Sequence, residues 1–150
     1  VSRLPAITIW QPYAWAIAAG HKRVENRTWL PRIVGVDIAI HAGKTLDEDA
    51  LLAMQVGSYL PDRGDAPEAD QLARGAVVAV ARLFAATRYP AMVQSQLGAG
   101  QLRWFNGPVG WLLSDVRRLP EPVPCRGAQG LWALPGDVDA AVRRQVEVAA

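Results

Sequence analysis

QPYAWAIAAGHKRVENRTW, residues 11–29, decides how the rest of the chain is read. An apolar, tryptophan-bearing run ends at Gly20, and His21, Lys22, Arg23, Glu25, Asn26 and Arg27 then crowd into seven residues. Pro12 suits the first turn of a helix, where a missing N–H costs nothing, and Gly20 suits the left-handed position that closes one. The spacing predicts a helix over 12–19 and an extended segment over 22–29. Side chains of an extended segment alternate, so Arg23, Glu25, Arg27 and Trp29 are expected on one face and Lys22, Val24, Asn26 and Thr28 on the other. A carboxylate between guanidiniums orients them, and Glu25 is expected to fix Arg27 in a bidentate pair. Lys22 can meet Glu25 only if the chain bends just after Gly20. A lysine beside such a bend, against tryptophan, would be partly desolvated with a lowered pKa, as a general base requires. A purely structural salt-bridge cluster is the alternative.

Outward from this stretch, AITIW (6–10) is a short β-branched strand, and VGVDIAIHAG (34–43) alternates as a second, half-buried one. Thr45 followed by Glu48 is a capping-box pattern, predicting a helix over 46–56 with acids at the positive end of its dipole. The segment from Pro61 to Gly75 reads as a turn-rich loop. Long apolar strands follow at 75–88 and 109–119, then a proline-bound extended loop, a short strand LWAL (131–134) and a helix over 137–148, with Val138, Val142 and Val146 at i, i+4 spacing. Five or six strands against two or three helices, with too few crossover helices for a doubly wound sheet, point to an α+β fold with a mixed β-barrel.

The 150 residues fit a single domain, 1–150, large enough to bury a core without disulfide or metal. No apolar run approaches the roughly 20 residues of a membrane span, and VSRLPAITIW lacks the apolar core of a secretory signal. With one cysteine, Cys125, the expectation is a soluble protein of a reducing cytoplasm. Net charge is only +2, but the charges are sorted. Residues 21–44 carry five basic and two acidic side chains, residues 45–70 carry seven acids against Arg63, and no acid lies between Gln71 and Ser114. One face is therefore expected to be basic and another acidic, although solvated surfaces of no functional consequence fit the same pattern.

Several reaction classes are excluded. There is no GxGxxG, GxxxxGK[ST] or GxSxG motif, and two histidines and one cysteine, widely spaced, make no zinc site. No cofactor is expected. Most of the six tryptophans are expected in the core, but Trp104 lies in LRWFNGP with Arg103, Phe105 and Asn106, a mixture able to stack an unpaired base and neutralise its phosphate. His41 and Lys44, in HAGK, end the second strand together: the histidine reads as a satisfied, half-buried side chain, while Lys44 adds to the basic surface.

QPYAW, the pattern G-x-K-x-x-E-x-R met by Gly20, Lys22, Glu25 and Arg27, HAGK, and the closing PCRGAQGLWAL together resemble the ASCH family, named for homology to an activating signal cointegrator. These motifs are spread over residues 7–134. The resemblance implies a PUA-like β-barrel, related to RNA-binding and RNA-modifying modules, with a cleft beside the first helix lined by Lys22, Glu25 and Arg27. One branch of the family removes the acetyl group of N4-acetylcytidine with the motif lysine, a threonine at the motif glutamate's position and a further glutamate. Here position 25 is Glu and the acid-free stretch 71–114 covers the place of the second acid, so Lys22 alone carries over. Ribonuclease activity has also been attributed to relatives.

Three functional expectations follow. The first is binding of single-stranded or locally unpaired RNA, or of a nucleotide or nucleoside, with Lys22, Arg23 and Arg27 on phosphate, Glu25 orienting the arginines or accepting from a base edge, Tyr13 or Trp104 stacking, and His41 and Lys44 extending the basic surface. The second is hydrolysis of a nucleoside or RNA by Lys22 with Glu25 as its partner. The third is a protein-interaction adaptor that docks through the acidic region 45–70.

Overall fold

The computed structural model describes residues 2–57 and 66–149. Strand β1 (Pro5–Gln11) leads into helix α1 (Tyr13–Ala18), and Gly20, at φ +88°, turns the chain into β2 (Val24–Arg27). Then come β3 (Val36–Leu46), α2 (Glu48–Gln55), β4 (Ala76–Thr87), α3 (Pro90–Leu97), β5 (Val109–Pro124), β6 (Trp132–Ala133) and α4 (Gly136–Ala149). All six strands belong to one sheet in the order β2-β5-β4-β3-β1-β6; β1 and β3 run parallel and the remaining neighbours antiparallel.

Period-2 alternation places Ile38, Ile40 and Ala42 of β3 in one core cluster and Ala39 in another, so the sheet is covered on both faces. α1 is apolar all round and its residues 14–18 are all buried; it packs on β1, β3, β4 and β5, where alanines allow close approach. α4 covers the opposite face with Val138 and Val142 against Val77, Val80 and Leu119.

The expected closed barrel is not formed by the described residues: no ladder joins the end strands, and the sheet is open. The physical reason lies in β6, which is two residues long and pairs only with Pro5 and Ala6, leaving the outer edge of β1 from Thr8 onward without a strand. A side chain bridges the resulting seam. Arg27, on the edge strand β2, donates from Nη2 to the backbone oxygen of Thr8 at 2.8 Å.

Other departures are local. Thr45 and Leu46 remain in β3, so Asp47 caps α2 instead, its carboxylate accepting from Ala50 N at 3.0 Å. The proline-rich run 120–124 continues β5 along the sheet. The segment after β4, for which the sequence reading named only a loop around Trp104, folds into α3, with Pro90 in its first turn, and a 3-10 turn over Ala99–Trp104. Residues 61–65 of the predicted loop lie outside the described residues.

Candidate nucleotide-binding cleft

The site is built where the sheet stays open. After α1, the amides of His21 and Lys22 both donate to the carbonyl of Ala16, at 2.9 and 3.1 Å, and this tight reversal folds Lys22 inward. Its side chain is buried, at 2% exposure, with Nζ donating to the carbonyl of Val24 and to Glu25 Oε1, the latter at 3.1 Å. The bend after Gly20 thus brings together two residues that strict alternation would have separated. The Tyr13 ring lies 5.8 Å from Nζ. Burial holds the Lys22 ammonium below the ordinary lysine range; the Glu25 charge and hydrogen bond oppose that shift, and the nearby Arg27 charge adds to it.

The other carboxylate oxygen, Oε2, meets Arg27 Nη2 at 3.1 Å. The expected bidentate pair is replaced by a shared one: the same Nη2 serves Glu25 and Thr8, while Arg27 Nε is buried with no hydrogen-bond partner among the described residues. Asn26 works differently. Its Nδ2 donates to Trp104 O at 2.8 Å, and its Oδ1 accepts from the amides of Asn106 and Gly107 at 2.9 and 3.0 Å. This one carboxamide pins the 104–107 segment beside β2.

Together these groups line a cavity of about 320 Å³ between β1 and β2. Its floor is Lys22, Glu25 and Arg27, and among the described residues Glu25 is the only acid in the lining. Tyr13, Trp104 and Asn106 form walls; Trp10 and Arg103 complete the rim. The volume sits at the low end of the roughly 300–1,000 Å³ typical of small-molecule sites, enough for a group the size of a nucleoside.

Of the residues singled out from sequence, Tyr13, Lys22, Glu25, Arg27 and Trp104 are brought together. Arg23 does not line the cavity; its amide donates to Gln101 Oε1 at 2.8 Å. Trp104 is 3% exposed and packed with Trp15 and Leu112, so it is a wall and not an open platform. Trp10 is an exception to the expectation that most tryptophans lie in the core, being 56% exposed beside the cavity. Alternation could have revealed it: Ile7 and Ile9 face the core, which turns Thr8 and Trp10 to the other side.

His41 and Lys44 sit apart, in a neighbouring depression that shares Thr8 with the cleft. His41 is buried with both ring nitrogens engaged, Nε2 donating to Cys125 O at 2.7 Å and Nδ1 lying 3.2 Å from Thr8 Oγ1. Because a carbonyl only accepts, the neutral ring carries its proton on Nε2 and takes the threonine hydrogen on Nδ1. Burial lowers the His41 pKa, partly offset by the bond to Cys125. The acidic region is partly consumed by structure. Asp47 caps α2 and accepts from Tyr13 Oη at 3.1 Å, and Glu68 caps the short turn at 69–71. Asp62 and Asp65 lie outside the described residues.

The ASCH domain model matches residues 7–106, two thirds of the chain, including most of β1, all of β2 and every cavity residue named above. The chain belongs to the ASCH domain family. Comparison with curated protein sequences returned no match. Among solved structures, the chain is similar to ASCH from Zymomonas mobilis, at 20% identity and a TM-score of 0.53, covering 95% of this chain and 94% of that one. It is similar also to a serine-to-alanine variant of that protein (19% identity, TM-score 0.55, covering 95% and 96%) and to a tyrosine-to-phenylalanine variant (19%, 0.53, covering 95% and 97%). At this identity the likeness establishes the mixed α+β ASCH fold. No helix among the described residues of this ASCH chain is long and apolar enough to cross a membrane.

Proposed function

We propose that this ASCH protein binds single-stranded or locally unpaired RNA by taking one nucleotide into the cavity between β1 and β2. The observation that carries the reading is a cavity floored by buried Lys22 and Glu25 with half-buried Arg27, and with an exposed tryptophan and arginine at its mouth. RNA binding is the role generally ascribed to the family. Lys22 is too deep, and too fully engaged by Val24 and Glu25, to track a phosphate backbone, so the phosphate contact falls to the exposed Arg103 at the rim. The floor then reads the base edge, with the unpartnered Nε of Arg27 as a donor in waiting, and Trp10 supplies the stacking face. Fluorescence anisotropy with a labelled single-stranded RNA at two salt concentrations tests this. Trp10→Ala should cost about 1–3 kcal/mol of affinity, and Arg103→Ala should make the slope of log affinity against log salt shallower by about 0.7. Salt-independent binding, or binding indifferent to both variants, would overturn the reading.

The lowered pKa of Lys22 favours a second reading, hydrolysis of a nucleoside or RNA. A neutral Nζ would take the proton of an attacking water, with Glu25 holding the amine in place. Incubation with N4-acetylcytidine and with short RNAs, followed by chromatography, tests it; no new product from any of them rejects it.

A further inference from the structure

The depression on the other side of Thr8 has the features of an anion site, and none of its residues belongs to the cleft floor. Its volume is about 650 Å³, and among the described residues Lys44 and Arg126 are the charged members of its lining, with no carboxylate. Both cations are exposed, and neither is in an ion pair among the described residues, whereas Lys22, Arg27, Arg82, Arg117 and Arg143 all are. Arg74 adds a third cation nearby, its Nη1 lying 3.4 Å from the carbonyl of Lys44. Asp137 helps raise the Cys125 thiol pKa, behind burial, and is not part of the lining.

The depression has a built wall. His41 uses both ring nitrogens to tie Thr8 of β1 to the carbonyl of Cys125, and the loop that follows lies directly on that pair. A Cβ at Gly127 would stand 2.8 Å from His41 Cε1 and 2.9 Å from Thr8 Oγ1, so only glycine lets the loop descend this far and present Arg126. Thr8 is the hinge between the two sites: its carbonyl is held by Arg27 in the cleft and its hydroxyl by His41 in the depression.

We propose that Lys44 and Arg126 form a phosphate subsite for the nucleotide adjacent to the one held in the cleft, so that an RNA strand runs from the β1–β2 seam across Thr8 to the 125–127 loop. This inference rests on RNA binding in the cleft and adds to it the path of the strand. A nucleoside monophosphate fills the cleft alone, whereas an oligonucleotide reaches both sites.

The test compares a nucleoside monophosphate with a single-stranded octanucleotide RNA, by calorimetry and anisotropy, for the parent, Lys44→Ala, Arg126→Ala, the double variant, and Arg144→Ala as a control that removes an exposed cation of α4. In the double variant, octanucleotide affinity should fall roughly tenfold at low salt and its salt slope should become shallower by about 0.7 for each cation removed, with monophosphate binding unchanged. Equal loss for both ligands, no loss for the octanucleotide, or the same loss in Arg144→Ala would overturn the subsite while leaving the cleft reading intact. Failure of the parent to bind either ligand would overturn the cleft reading, and the subsite with it.

Discussion

Replacing Glu25 with glutamine removes one charge from a cluster that is almost wholly dry. Glu25 is 9% exposed and Lys22 2%, so water screens their contact little and the parent's two charges are each other's main compensation. Breaking a buried pair by deleting one partner typically costs 3–5 kcal/mol. The amide oxygen retains some hydrogen bonding to Lys22 and Arg27, which puts Glu25→Gln near the low end, about 3 kcal/mol, or a fall in Tm of about 6–12 °C for a chain of this size. The pH dependence identifies the cause. In the parent, burial already holds the Lys22 pKa down against the pull of Glu25, and removing that pull lowers it further. Where the folded pKa lies below the unfolded one, the unfolded state binds more protons and stability rises with pH. That window opens at a lower pH in the variant, so its deficit is greatest near and below neutrality and narrows as pH climbs towards the unfolded lysine value of about 10.4. Urea unfolding followed by tryptophan fluorescence at several pH values measures both quantities. A loss under about 1 kcal/mol, as for a surface pair, or a deficit that widens with pH, would refute the reasoning.

His41 gives a second pH signature: its depressed folded pKa means that stability falls as pH drops from the unfolded histidine value of about 6.5 towards the lower folded one, and His41→Gln should lose this acid limb in urea titrations. Gly127→Ala drives a methyl into the doubly bonded His41 ring and should cost about 1–3 kcal/mol, whereas an unchanged urea midpoint would mean the loop can lift off β1 freely. Asp47→Ala removes the α2 cap and should cost about 1 kcal/mol in the same assay, while Thr45→Ala should not, because Thr45 is still in the strand.

Local patterning carries far in this chain. Alternation located β3, and β-branched or continuous apolar runs located β1 and β4, to within a few residues; the apolar run ending in Gly20 determined the helix, the left-handed turn and the crowding of charge behind it, because each depends on neighbours a few positions apart. The same locality made Lys22, Glu25 and Arg27 legible as a group. Tertiary structure decided what lies between distant segments. β6 is too short to cover β1, which leaves a seam in place of a closed barrel, and Arg27 crosses that seam to Thr8. The cap of α2 shifted to Asp47 because β3 runs on through Leu46, drawn out by pairing with Gln11 that no capping pattern encodes. Trp104 went into the core beside β2, where Asn26, 78 residues away in sequence, pins the 104–107 segment. His41 and Lys44 were drawn from the cleft into a separate depression by the 125–127 loop, whose approach to β1 depends on a glycine's missing side chain. Sequence periodicity specifies which face of an element is apolar; it does not specify which distant loop will fold over that element, and the two sites on either side of Thr8 are made by such loops.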